Sequence, residues 1–163
     1  MAKKAKKKQE EQKKGPSRIV NKKARRDFSI EETFEAGIVL QGTEVKSLRA
    51  GHANFTDAFA YMQDGELWLK DMYIKEFDQG SYNNHDTRRD RKLLLNKSEL
   101  TKLDKQINQQ GYTVIPLKLY FKRGKATLEL ALAKGKRKYD KRADMAEKDA
   151  KRDMERKIKQ FKL

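Results

Sequence analysis

The sequence predicts a mainly β protein: a small closed antiparallel barrel with two or three helices and disordered basic tails. Three features point there. Short apolar runs with a period of two recur between turn residues across 28–133, the dipeptide Asp64-Gly65 and the stretch around Gly124 each separate two such runs, and net charge is confined to the ends of the chain. A flat α+β sandwich is the alternative that the same pattern allows. At 163 residues the chain suits one domain.

Residues 1–17 are Lys, Gln, Glu and Ala closing on Gly15, Pro16 and Ser17, too polar to offset their ordering entropy by burial, so a disordered basic arm is expected. After the basic run ending at Arg26, the residues Phe28, Ile30, Phe34, Ile38, Val39 and Leu40 read as strand. Gly37 inside that pattern suggests a bulge or a tight barrel bend. From Thr43 to Gly51 a short helix is expected, with Thr43 as N-cap, Val45 and Leu48 on one face and Gly51 as the stop.

Phe55 to Met62 and Leu67 to Ile74 flank Asp64-Gly65 and form a hairpin. Residues 78–92 are polar and turn-rich, which predicts an exposed, mobile loop. Ser98 then opens a helix carrying Leu100, Leu103 and Ile107, and Gly111 ends it. A second hairpin alternates through Leu117, Leu119 and Phe121, turns at 122–125, and resumes at Leu128, Leu130 and Leu132. Pro116 has no N–H for a ladder and so marks an edge or a bulge. Six short strands with two interspersed helices in one small body suggest an OB-fold-like barrel over residues 18–133.

Charge divides the chain in the same places. Residues 1–26 hold twelve Lys and Arg against Glu10 and Glu11, and 134–163 hold thirteen against six acids, whereas 27–133 are nearly neutral. Two cationic arms on a balanced body suit a polyanion whose counterions are released on contact, so nucleic acid is the leading partner. Neither arm has the broad apolar face of a membrane-surface helix. Ala146, Ala150, Met154, Ile158 and Phe161 recur at helical spacing in the C-terminal tail, a stripe too thin to sustain a helix in water. The tail is therefore expected to be disordered when free and helical against a partner.

There is no cysteine, no signal-peptide core and no apolar run of membrane-spanning length, which leads to the expectation of a cytoplasmic protein. Phosphate-loop, nucleophile-elbow and dinucleotide signatures are also lacking. His52 and His85 lie in separate loops without metal-ligand spacing and read as surface histidines. No enzyme activity, metal, cofactor or small-molecule substrate is expected. The enzymatic rival is a nuclease with Glu35 and Asp57 or Asp86 as metal ligands. Glu35, between Phe34 and Ala36, is either a solvated strand residue or an acceptor for a guanine edge on a splayed RNA base. The clusters 21–26 and 88–92, with Lys92, and the 133–142 stretch, with Lys134 and Lys136, are generic phosphate binders.

Five blocks in order, "NKKAR" (21–25), "FEAGIVLQGTEVKSLRAG" (34–51), "RKLLLN" (91–96), "GYTVIPLKLY" (111–120) and "AKGKRKYDKR" (133–142), resemble the bacterial SsrA-binding protein family, small protein B or SmpB. The resemblance covers nearly everything after residue 18. It implies an OB-type adaptor that binds the tRNA-like domain of transfer-messenger RNA and carries it to stalled ribosomes for trans-translation. Protein and RNA together mimic a tRNA, with the tail in the decoding centre and the empty mRNA channel of the small subunit. By similarity Glu35, Leu94 and Asn96 lie on the RNA face, and Asn21, Lys22 and Arg25 add to it. Lys46 and Arg49 either touch RNA or brace the barrel. Tyr139, Asp140, Lys141 and Arg142 would meet the decoding centre. Tyr139 stands where some relatives carry His, and the far tail lacks a Trp found in some.

Overall fold

The computed structural model describes residues 18–161, apart from the side chains of residues 109 and 110, so the arm expected over 1–17 lies outside the described residues. Nine strands and four helices occur among the described residues. They are β1 (Ile19–Val20), α1 (Ala24–Asp27), β2 (Phe28–Ile38), α2 (Gly42–Arg49), β3 (Ala53–Asn54), β4 (Phe59–Gln63), β5 (Glu66–Lys70), β6 (Tyr73–Ile74), β7 (Arg91–Leu94), α3 (Lys97–Gln110), β8 (Thr113–Lys122), β9 (Lys125–Gly135) and α4 (Lys138–Phe161). No helix among them is long and apolar enough to cross a membrane.

Every strand pairing is antiparallel. The main sheet runs β1-β8-β4-β5-β7-β2-β9, and β9 also pairs with β8, so six strands close into a ring with β1 attached outside. Local chemistry explains the corners. Asp64 and Gly65 both have positive φ, 53° and 75°, the left-handed pair of a two-residue hairpin turn, and Arg123 and Gly124 repeat it at 51° and 74°. β8 shifts register between Pro116 and Lys118, the bulge that a proline without an N–H requires. β2 shifts between Ile30 and Glu32, so the bulge expected near Gly37 lies further back along the strand.

Inside the ring, alternation buries Phe34, Ala36, Leu67, Leu69, Leu93, Leu119, Leu128, Leu130 and Leu132, with Leu48 of α2 and Leu103 of α3 closing onto them. A second, smaller cluster forms outside β8 and β9, where Ile115, Leu117, Ala131 and Ala133 meet Ala24 of α1. Three alanines there let the short helix lie close to the sheet. The runs "VIPL" and "LALA" are continuous for that reason: both faces of the sheet are covered at this point.

Both body helices start one or two residues before the expected position. Gln41, not Thr43, caps α2, with a reciprocal bond from its own N–H to Glu44, and Asn96 caps α3 through the same exchange with Glu99. Gly111 ends α3 at φ 65°.

Most of the loop over 78–92 is exposed, as expected, but His85 and Arg91 anchor it in the interior. Arg91 is fully buried, its Nε 2.7 Å from Glu44 Oε1, and its remaining donors reach the carbonyls of Met72, Arg89 and Thr87. Arg89 adds a second pair to Glu44 at 2.7 Å. His85, expected at the surface, is buried between Thr43 Oγ1 and the carbonyl of Ile74. The physical reason is satisfaction: a buried carboxylate needs counter-charge and hydrogen bonds, and this loop supplies them.

Candidate nucleic-acid interface

Glu35 points outward from β2 because Phe34 and Ala36, its neighbours, point in. Strand register carries the outer surface away from it on both sides. Gly37 stands opposite Leu94 of β7 and Thr127 of β9, and Thr127 opposite Tyr120 of β8. One row back, Glu35 faces Glu129, Glu129 faces Lys118, and Lys118 faces Val20 of β1. The ring thereby gathers residues from five strands into one patch. Leu94 is 52% exposed there, and a Cβ on Gly37 would meet Leu94 Cβ at 3.4 Å, so the glycine keeps the surface low between Leu94 and Glu35.

The Tyr120 hydroxyl donates to Glu35 Oε1, and the Lys122 ammonium lies 3.0 and 3.1 Å from the two carboxylate oxygens. These bonds, that from Tyr120 foremost, hold the Glu35 pKa below the usual carboxylate value, and the same bond pushes the Tyr120 phenol up to about 12. At neutral pH the group is therefore a carboxylate beside a protonated phenol. A carboxylate offers about four lone-pair sites, so acceptor capacity remains for a donor edge brought from outside. Lys118 pairs with Glu129 at 2.5 Å and leans over the Tyr120 ring at 5.9 Å. An anion, an aromatic ring and cations side by side are what unpaired bases and their phosphates require.

The other candidates fall into separate groups. Asn96, exposed, follows Leu94 by two residues and spends its side chain on the α3 cap. Lys92 shares the outer side of β7 with Leu94 and is paired with Glu66 at 2.5 Å. Asn21 is structural, donating from its side chain to the Pro116 carbonyl at 2.9 Å and accepting from the Ala24 N–H, while Lys22 and Arg25 are exposed beside it. Lys46 lies over the Phe77 ring at 5.0 Å and Arg49 over Phe121 at 5.7 Å. Both therefore brace aromatic rings, and both are exposed.

Lys134 and Lys136 are not brought to the Glu35 patch. Lys134 covers Tyr112 at 4.5 Å, and Lys136, mostly buried, bonds the Arg25 carbonyl and the Asp144 carboxylate, which that bond holds at low pKa. In α4, Tyr139 is 81% exposed, Asp140 and Arg142 are exposed, and Lys141 lies 3.5 Å from Asp27. No described residue of this helix is buried.

Sequence reasoning missed Lys118, Tyr120 and Lys122. Their signal was present in part: Leu119 and Phe121 alternate as the inner face and "K-Y-K" as the outer, but Leu117, expected on the same face as Leu119, lies in the outer cluster because the bulge between Pro116 and Lys118 breaks the alternation. Among the described residues there is no group of three or more His, Asp or Glu arranged to hold a metal ion.

A family model described as "SmpB protein" matches residues 18–160. An SsrA-binding protein of Thermobifida fusca is 52% identical over 156 residues, covering 95% of this chain and 98% of its own. Another, of Geobacillus thermodenitrificans, is 54% identical over 145 residues, covering 88% of this chain and 94% of its own. A solved structure described as "tmRNA-SmpB: a journey to the center of the bacterial ribosome" is 53% identical with a TM-score of 0.64, covering 76% of this chain and 87% of that one.

Proposed function

The chain belongs to the SmpB family of SsrA-binding proteins, and from that premise we propose that it is an RNA-binding adaptor of trans-translation in the cytoplasm. Its partners are transfer-messenger RNA, bound through the tRNA-like domain, and the stalled ribosome to which that RNA is delivered. The observation that carries the reading is the outer patch in which Glu35, Leu94, Tyr120 and Lys122, far apart in sequence, stand together across β2, β7 and β8. An ionised acceptor next to aromatic and cationic groups suits splayed bases in an RNA loop. Asn96 and Lys92 extend it along β7, and Lys22 and Arg25 offer further exposed charge on and beside α1.

The tail takes the second role. No described residue of its helix is buried, and ion pairs of Lys141 with Asp27 and of Asp144 with Lys136 tie only its first turns to the body, so burial for the rest of a cationic arm must come from elsewhere. In this reading it is unfolded in the free chain and completes its helix in the decoding centre and mRNA channel, with Tyr139, Asp140, Lys141 and Arg142 at the entrance.

Competition binding tests the RNA half. Labelled tRNA-like domain is displaced by unlabelled tRNA-like domain or by an unrelated RNA of equal length, in about 0.2 M salt so that non-specific affinity is suppressed. The tRNA-like competitor should win by a wide margin. Equal displacement would leave only a general RNA-binding protein.

A further inference from the structure

The outer surface continues past Leu94 into aromatic residues that the reading above does not use. β4 and β5 pair with Phe59 opposite Lys70 and Tyr61 opposite Trp68, and β7 sets Lys92 opposite Trp68. Ala60, Leu67 and Leu69 alternate with them and are buried in the core, so Phe59, Tyr61, Trp68, Lys70 and Lys92 share the outer face. Phe59 is 37% exposed, and Tyr61 and Trp68 are half-buried. The Phe59 and Tyr61 rings sit 6.4 Å apart, tilted by 51°. Tyr61 donates to the Asp90 carboxylate at 2.9 Å, which fixes its ring on the surface.

Solvent-facing strand positions are ordinarily polar. Three large aromatics there, none needed for the core, point to a ligand with flat faces. Lysines flank them, and two of the nearby acids are engaged, Glu66 by Lys92 and Asp90 by Tyr61. The face also runs into the patch described above, since Lys92 and Leu94 alternate on one side of β7 and three strand spacings, roughly 14 Å, separate β4 from β2.

We propose that the aromatic and lysine face of β4, β5 and β7 stacks the bases of an unpaired RNA segment, continuing from the RNA held at the Glu35 patch. This rests on the RNA-binding reading of that patch. Stacking explains the residue types, because every base has a π-face and the lysines follow the phosphates between them. Duplex RNA is excluded as the ligand: its bases are already stacked on one another, and its deep groove does not admit side chains.

The chain has one tryptophan, Trp68, so its emission reports this face alone. The full chain is titrated with an unstructured oligoadenylate of about eight nucleotides, within the span of single-stranded binding sites on comparable barrels, with a duplex of equal length, and with the folded tRNA-like domain. The oligoadenylate should quench Trp68, and Phe59→Ala with Tyr61→Ala should weaken it roughly tenfold while the folded domain binds as before. A Phe59→Leu plus Tyr61→Leu variant keeps the apolar area that supports folding and should lose the oligoadenylate too. Unchanged emission alongside normal binding of the folded domain overturns the proposal and leaves the function intact, and equal quenching by duplex overturns it as well. If neither the folded domain nor the oligoadenylate binds, the RNA-binding reading falls, and this proposal with it.

Discussion

Glu35 and Glu44 are both glutamates held ionised by basic partners, yet they lie in opposite surroundings. Glu44 is fully buried, bonded by Arg89, Arg91 and the Gln41 N–H; burial alone would raise its pKa, and those bonds outweigh burial so that the pKa is lowered. Glu35 is exposed, its pKa lowered by Tyr120 and Lys122 with no core around it. The difference separates scaffold from candidate site. A buried ion pair that loses one member leaves an uncompensated charge, whereas an exposed one is open to exchange with a ligand.

The largest effect should come from breaking the buried side of this contrast. Arg91→Ala leaves Glu44 with Arg89 alone and should cost about 3–5 kcal/mol, read as a lowered urea midpoint. The acid dependence follows from the same group. Because its folded pKa is depressed, the stability Glu44 contributes is present above its unfolded value, about pH 4.3, and is lost as pH falls through the lower folded value. Glu44→Gln should remove that part of the acid transition while lowering stability at neutral pH.

The exposed side should behave inversely. Glu35→Ala should weaken binding of the tRNA-like domain by about tenfold, as loss of a base-edge contact does, with the thermal midpoint unchanged. Glu35→Gln should also return one tyrosine from about 12 toward the ordinary value near 10, visible in an ultraviolet titration of tyrosinate. A tyrosine that stays high in that variant would show that Glu35 is not its partner.

Smaller effects sharpen the separation of body and tail. Asp140→Ala with Lys141→Ala should leave RNA affinity unchanged and abolish ribosome rescue, because distant sites act independently. If RNA binding is lost as well, body and tail do not divide the work. Gly37→Ala, which presses on Leu94 at 3.4 Å, should reduce RNA affinity by less than Glu35→Ala does and leave the fold in place.

What could be read in advance was local. Asp64-Gly65, Gly111 and Gly124 mark turns and stops because only certain residues accept left-handed backbone, and Pro116 marks its bulge because it lacks a donor. The helix starts were misjudged by one or two residues, since Gln41 and Asn96 cap through reciprocal bonds that spacing alone does not distinguish from those of Thr43 or Ser98. "RRDRK" looked like surface charge because composition does not say which arginine has a carboxylate waiting inside. Arg91 finds Glu44, 47 residues away in sequence.

By itself the sequence determined the two hairpins, the two body helices, the cationic ends and the family, because propensity, alternation and charge are carried by neighbouring residues, whereas the short elements β1, α1, β3 and β6 were not legible in it. Only the tertiary structure decided which glutamate is buried, that Tyr120 and Lys122 answer to Glu35 across 85 and 87 residues, and that Phe59, Tyr61 and Trp68 share an outer face. Ring closure determines those pairings, and register between distant strands is a property of the folded ring rather than of any stretch of chain.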